Sequence, residues 1–362
     1  MELEVINGYE GSNPQAAENV EQKDDGSVVV RPESEDGDSN YKFAFDVTVR
    51  NPGDEPQPLA LTVDWQEPPE VGTTYMDERR SIFLLGESTF DEVAGQLDGD
   101  RVHFELRVPP GETRLCLHPP FWTDELEAFF ERAAGLPGAQ RIGYGLGSEG
   151  RALEAAWLPA LERPERCVLA VGRIHPYETA GSYFVAGIVD LLTTDEGTEL
   201  RRDNSFVLAP LVNPDGVAHG LCKRTTTGTE LSSQGVSSND SAACALRGLV
   251  CGVAAAAADS LLIDAHGWMI EQDGPIFYSP GLADETMARL KRERDLFPHG
   301  FRVKDYSDRP ADPETTDLRR YAVEQLGMAG FVTSGPWFGR RPDDMRRIGA
   351  SMTGALLAAL QG

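Results

Sequence analysis

CVLAVGRIHPYETAGSYFVAGIVDLL, residues 167–192, decides the fold. It opens on an apolar run that reads as a buried strand, passes through a polar loop, and continues into a helical stretch of apolar residues. The loop carries one of only six histidines in the chain, beside a proline and three residues ahead of a glutamate. Strand, loop and helix in that order are the unit of a parallel α/β sheet, and such sheets collect ligands at the carboxyl ends of their strands.

Working outward, the same grammar recurs beyond Arg141. SFVLAPLV, SAACALRGLVCGVAAAA and LLIDAHGW alternate strand with helix, and a last helix starts near Asp343. An α/β domain with a mixed, mostly parallel sheet flanked by helices is expected over residues 140–362. Before it, from Ser27 to about Leu117, the pattern has period two: VVVRP, YKFAFDVTVRN with Phe43, Phe45, Val47 and Val49 on one face, LALTVDW and RVHFELRV. Turns such as NPGDEP and DGD separate these runs, which predicts an antiparallel β-sandwich over residues 1–120. DELEAFFERAAG, with acidic residues in its first turn, reads as a connecting helix within 121–139.

Composition narrows the partners. The formal charge is −26, and the 33 basic residues comprise five lysines and twenty-eight arginines. A surface that tracks phosphates needs clustered basic groups, so neither nucleic acid nor an anionic membrane is an expected partner. Acidic excess with scarce lysine suits a halophilic cytoplasm, where salt screens self-repulsion; GC-rich coding is the other source of arginine over lysine. The five cysteines show neither a disulfide framework nor a zinc-binding spacing. The N-terminus MELEVINGYEGSN has no basic patch followed by an apolar stretch. The expectation is a soluble, cytoplasmic protein; the sequence leaves its oligomeric state open.

Three expected strands end in VGRIHPYE, APLVNPDG and LIDAHGW. His175, Glu178 and His266 together supply two imidazoles and a carboxylate, the ligand set of a catalytic zinc that keeps its fourth position for water. Such an ion activates water at neutral pH and polarises a carbonyl.

The pieces GLGSEGRALE, HPYE, LVNPDGV, KRTTTGTELSS, IDAHGW and GPWFGR occur in the order of the landmarks of the zinc carboxypeptidases. The chain resembles that family, built on the funnelin-like α/β fold, and its β-rich start followed by PPFW and a helix resembles the cytosolic carboxypeptidase branch. The resemblance implies one zinc ion held by His175, Glu178 and His266, and a hydrolase acting on a peptide or an acylated small molecule. It also implies that Lys223 or Arg224 steadies an oxyanion, that Glu230 orients a ligating histidine from behind, and that Tyr278 lies over the substrate. Asn213 to Gly216 is expected to shape the site floor as a turn, and Arg151 to act as an ion-pair partner. His219 falls in what the resemblance makes a connector and reads as a solvated or packed histidine, while His103, His118 and His299 have no motif around them.

The sequence departs from the family at two points. Where the family carries Asp-Leu-Asn-Arg, this chain has Glu230, Leu231, Ser232 and Ser233, so the pair that grips a peptide's terminal carboxylate is missing. Where the family carries its general-base glutamate, VTSGPWFGR offers Ser334, which cannot accept a proton at neutral pH. Glu271 and Asp273 are carboxylates near enough in sequence to His266 to substitute. Weak or altered hydrolysis, a catalytically silent zinc-binding protein that recognises a ligand, and an amide deacylase acting on acyl amino acids are the three readings that remain.

Overall fold

The computed structural model describes residues 3–35, 42–66, 79–87, 89–257, 259–267, 276–277, 304–305, 314–335, 337 and 339–361. Two compact units are present: Met1–Pro120 with Gly216–Thr226, and Phe121–Asp215 with Thr227–Gly362.

The first unit holds β1 (Glu4–Ile6), β2 (Val20–Gln22), β3 (Val28–Val30), β4 (Asp46–Asn51), β5 (Gln57–Asp64), β6 (Ser81–Leu85), β7 (Phe90–Ala94), β8 (Gln96–Asp98), β9 (Arg101–Val108) and β10 (Gly111–Cys116). They form two sheets, ordered β1-β4-β10-β6-β7 and β2-β3-β5-β9-β8. Pairing is antiparallel except between β3 and β5, which run parallel, a detail that period-two alternation cannot reveal. The alternation itself holds: Phe43, Phe45, Val47 and Val49 are all buried, as are Leu61, Val63, Phe104 and Leu106 on the other sheet.

Among the described residues the second unit is built on one sheet of eight strands: β11 (Gln140–Leu146), β12 (Ala152–Leu158), β13 (Arg166–Gly172), β14 (Asn204–Ala209), β15 (Asp259–His266), β16 (Ile276–Phe277), β17 (Lys304–Asp305) and β18 (Ala329–Ser334). The order is β11-β12-β14-β13-β15-β18-β16-β17. The four central strands, β14, β13, β15 and β18, are mutually parallel, and antiparallel pairs flank them. β13 and β15 are covered on both faces, which is why RCVLAVG and SLLIDAH are almost unbroken apolar runs.

Helices α1 (Thr123–Ala134), α2 (Thr179–Leu192), α3 (Ser241–Ala256) and α4 (Pro342–Gln361) complete the layers. α2 is buried on nearly every side, and glycines set how closely it packs. A Cβ on Gly181 would stand 2.0 Å from the carbonyl oxygen of Ala265 in β15. A Cβ on Gly187 would stand 1.9 Å from that of Arg346 in α4, and one on Gly349 would stand 2.0 Å from that of Phe184. Backbone therefore lies directly on backbone at both faces of α2, which fixes where the loop preceding it can sit. Asp190, at the far end of α2, is held by Arg132 of α1 and Arg346 of α4.

Candidate metal centre

β13 ends at Gly172, and the chain turns at once. Arg173 adopts φ 63°, a left-handed backbone that costs a side-chain-bearing residue energy unless its surroundings compensate. Here the guanidinium is buried and donates to two carbonyls, Pro176 O at 2.6 Å through Nε and Phe121 O at 2.9 Å through Nη1. One side chain thus braces the loop that it begins. Asn213 Nδ2 reaches Ile174 O at 3.4 Å, and the expected turn over Asn213 to Gly216 is instead the start of a short helix, Pro214–Ala218.

The braced loop presents His175 and Glu178 together. His175 Nδ1 lies 2.9 Å from Glu178 Oε1, and His266 Nδ1, at the carboxyl end of β15, lies 2.6 Å from Oε2 of the same carboxylate. The two imidazole rings stand 5.0 Å apart, tilted by 56°. One ligand atom from each of the three residues falls within 4.8 Å of the others. Gly267 N–H also donates to Glu178 Oε2, at 3.3 Å.

The remote nitrogens are oriented as well. His266 Nε2 lies 3.0 Å from Asp264 Oδ2, and strand alternation explains why residues 264 and 266 share a face. Asp264 is fully buried, and Arg319 Nε stands 3.6 Å behind the same oxygen, itself gripped by Asp317. His175 Nε2 meets Ser232 Oγ at 3.3 Å, and that hydroxyl donates to Glu230 Oε1 at 3.0 Å. An N–H pinned on Nε2 leaves the Nδ1 lone pair of each ring for a cation.

Electrostatics tell the same story from the metal-free side. Burial opposes a charge on His266, yet Asp264 and Glu178 outweigh it and push its pKa up to about 10. His175 is also raised, with Glu178 overcoming the effect of burial. Burial would raise the pKa of Glu178, but the two imidazolium rings hold it well below the usual carboxylate range. Protons therefore occupy the direction in which a divalent cation would be bound. The donor set, two imidazole nitrogens and one carboxylate converging from one loop and one strand end, fits zinc with a coordination position to spare.

Ser334 ends β18 and pairs in register with His266, so their side chains emerge on the same face of the sheet edge; it is 5% exposed. Glu230 stands behind His175 at 3.7 Å, with Ser232 interposed. Lys223 and Arg224 fall in the segment that clusters with the first unit. Tyr278, Glu271 and Asp273, like His299, lie outside the described residues. Arg151 pairs with Asp215 at 3.1 Å and with Glu149 at 2.7 Å, an ion-pair role as expected. His118 contacts Phe43 O at 3.1 Å and His103 contacts Thr62 Oγ1 at 2.9 Å, both in the first unit. Sequence reasoning missed Arg173, Ser232, Asp264 and Arg319. Of these, Asp264 was open to discovery, since an acid two residues before a ligating histidine in a strand must share its face.

The distances among Ser232, His175 and Glu178 also follow the order of a nucleophile, a base and an orienting acid. Ser232 is 3% exposed, which denies a substrate the approach that such a nucleophile requires.

Comparison with known proteins bears on the fold and the family. Residues 139–242 match the zinc carboxypeptidase family model. The whole chain superimposes on a metallo-carboxypeptidase from Burkholderia cenocepacia with a TM-score of 0.80, covering 100% of this chain and 99% of that one at 18% identity. This chain has the zinc carboxypeptidase fold. A metallo-carboxypeptidase from Pseudomonas aeruginosa, in complex with (2-guanidinoethylmercapto)succinic acid, agrees with a TM-score of 0.77 over 99% of both chains at 16% identity. Among curated relatives, cytosolic carboxypeptidase 2 of Danio rerio is 34% identical over 74 residues, 20% of this chain and 10% of that protein. Human cytosolic carboxypeptidase 6 is 36% identical over 69 residues, 18% of this chain and 14% of that protein. The matched stretch thus spans about a tenth of the length of these relatives. Among the described residues, no helix of this carboxypeptidase-like chain is long and apolar enough to cross a membrane.

Proposed function

We propose that this chain is a zinc-dependent hydrolase of the carboxypeptidase type that cleaves an amide bond in a peptide or an acylated amino acid in the cytoplasm. The observation that carries the reading is the convergence of His175 Nδ1, His266 Nδ1 and both oxygens of Glu178. A zinc ion held by these residues supplies water activation and carbonyl polarisation at neutral pH. Asp264 and the Ser232–Glu230 pair hold the two imidazoles in the tautomer that such an ion requires. By resemblance to the family, Lys223 or Arg224 is the group assigned to steady negative charge on the substrate; Tyr278, assigned to cover it, lies outside the described residues. Ser334 occupies the position of the family's general base, and turnover is accordingly slow.

A second reading is favoured by two of the same observations. Ser334 beside His266, and serines at 232 and 233 in place of the carboxylate-binding pair, suit a protein that binds zinc and a ligand without turning the ligand over. Zinc content of the purified chain, followed by hydrolysis of a panel of acyl amino acids and carboxy-terminal peptides, separates the readings. One zinc per chain with measurable hydrolysis supports the enzyme, one zinc with none supports the silent binder, and absence of zinc binding removes both.

A further inference from the structure

Asp264 is wholly buried near the end of β15, and its two oxygens are treated unequally. Oδ2 meets His266 Nε2 at 3.0 Å and Arg319 Nε at 3.6 Å, the second a charge pairing too long for a hydrogen bond. Oδ1 is buried with no hydrogen-bond partner among the described residues. A buried carboxylate is ordinarily held through both oxygens, because each lone pair that leaves water unmatched costs free energy. Here one imidazole and one guanidinium are the ion-pair partners that the described residues supply, and both stand at the same oxygen. Without the guanidinium, a single contact would set the angle of the carboxylate about its Cβ–Cγ bond. That torsion is broad in aspartate, so one contact fixes it poorly.

Arg319 is in turn held by its neighbours. Asp317 accepts its Nη2 at 2.9 Å and its Nε at 3.3 Å, and the same carboxylate caps the turn Leu318–Arg320 by accepting the N–H groups of Arg319 and Arg320. Just upstream, the Thr316 hydroxyl donates to Ser233 O at 2.7 Å, and the Thr316 carbonyl accepts Val236 N–H at 3.2 Å. Leu318 is 1% exposed and lies in the same apolar core as Leu231. The backbone that carries Arg319 is therefore fastened to the turn that carries Ser232, whose hydroxyl stands at His175 Nε2. All of these residues belong to the second unit.

We propose that Arg319 is a positioning residue for the metal centre: its charge holds the Asp264 carboxylate at the angle that keeps Oδ2 on His266 Nε2, which leaves Nδ1 beside Glu178 for the cation. The inference rests on the zinc site of the proposed function. Arg319 acts through Asp264, and the test is built on that dependence.

Zinc affinity of the full-length chain is measured by chelator competition in a double-mutant cycle of wild type, Arg319→Met, Asp264→Asn and the two changes together. Methionine keeps much of the aliphatic stem and removes the charge. Arg319→Met is expected to lower zinc affinity by about tenfold, the lower end of the loss for a group that supports a metal ligand. In the Asp264→Asn background the same change is expected to cost less than about twofold, because the charge through which Arg319 acts is already gone. Arg319→Lys restores a point charge without the planar fork and is expected to stay within about threefold of the wild type. Unchanged affinity in Arg319→Met overturns the proposal. An equal loss in both backgrounds overturns it as well, since Arg319 would then contribute to general stability alone. Should Asp264→Asn fail to fold, the lysine variant decides: a loss as large as that of the methionine variant overturns the proposal. Failure of the zinc reading shows in the wild type itself, which would then take up no zinc, and the inference falls with it.

Discussion

The Nε2 of His266 lies 3.0 Å from Asp264 Oδ2, and the two residues sit one alternation apart on the same buried strand. The carboxylate selects the tautomer that presents Nδ1 and makes the ring a stronger donor. Asp264→Asn keeps the shape and removes the charge. Zinc affinity measured by chelator competition is expected to fall by about 10- to 100-fold with the fold intact. An unchanged affinity would reduce Asp264 to a packing residue.

Ser334 shares a sheet face with His266, so a carboxylate introduced there lies beside the metal centre. Ser334→Glu is expected to raise amide hydrolysis by the zinc-loaded protein by an order of magnitude or more, within the roughly 10²- to 10⁴-fold contribution of a general base. The steady-state rate on an acyl amino acid decides the matter. A correctly folded, zinc-replete variant with no gain would show that residue 334 is not the position of the base.

Zinc and protons compete for the same nitrogens, and the direction of the pH dependence follows. His266 is raised from 6.5 to about 10, so its contribution to the metal-free fold is complete below pH 6.5 and lost as pH climbs through about 10. Glu178 is held below its ordinary 4.5, so its contribution is present above pH 4.5 and lost as pH falls further. Binding zinc displaces the proton from His266, and zinc affinity should therefore rise between about pH 6 and about pH 8, by up to about tenfold per pH unit for each proton released. Titration against a competing chelator at several pH values measures the slope, and a flat profile would mean that His266 is already neutral in the metal-free protein.

Gly187 and Gly248 are both helical glycines with opposite prospects. A Cβ at Gly187 meets the backbone of Arg346 at 1.9 Å, whereas one at Gly248, on an exposed face of α3, meets nothing within 4 Å. Gly187→Ala is expected to destabilise the protein by about 1–3 kcal/mol or more by forcing α2 and α4 apart. Gly248→Ala is expected to stabilise it by about 0.4–1 kcal/mol through the unfolded chain. Denaturant melts of the two variants give both signs, and a stabilised Gly187→Ala would refute the close approach of the helices.

Much of this arrangement was legible in the sequence because it is periodic or local. RCVLAVG and SLLIDAH announce strands buried on both faces, and His175 and Glu178 belong to one short loop whose spacing carries the ligand pattern. The α/β architecture and the identity of the zinc carboxypeptidase fold followed from those runs and from the order of the motifs. What escaped was set by tertiary contact. Nothing about Arg173 in a one-dimensional pattern says that its backbone is left-handed and its guanidinium turned back onto Pro176. Arg319 lies 55 residues beyond Asp264, and only the fold brings it to 3.6 Å from that carboxylate. The parallel pairing of β3 with β5 is equally silent, because alternation reports which face is buried and not which way a neighbour runs.

Residues 216–226 belong to the first unit, fastened there by Asn13 Nδ2 on Gly220 O and by the carboxylate of Glu35 on the N–H groups of Cys222 and Arg224, which bears on modularity. A truncation beginning at Phe121 would keep every strand of the larger sheet yet strand an eleven-residue excursion whose hydrogen-bonding partners had been cut away. Grafting a foreign leader onto the remainder would not repair it unless the newcomer also brought a carboxylate for the amides of residues 222–224. The two units of this chain are therefore interleaved in sequence, since residues 216–226 of the first lie between two stretches of the second.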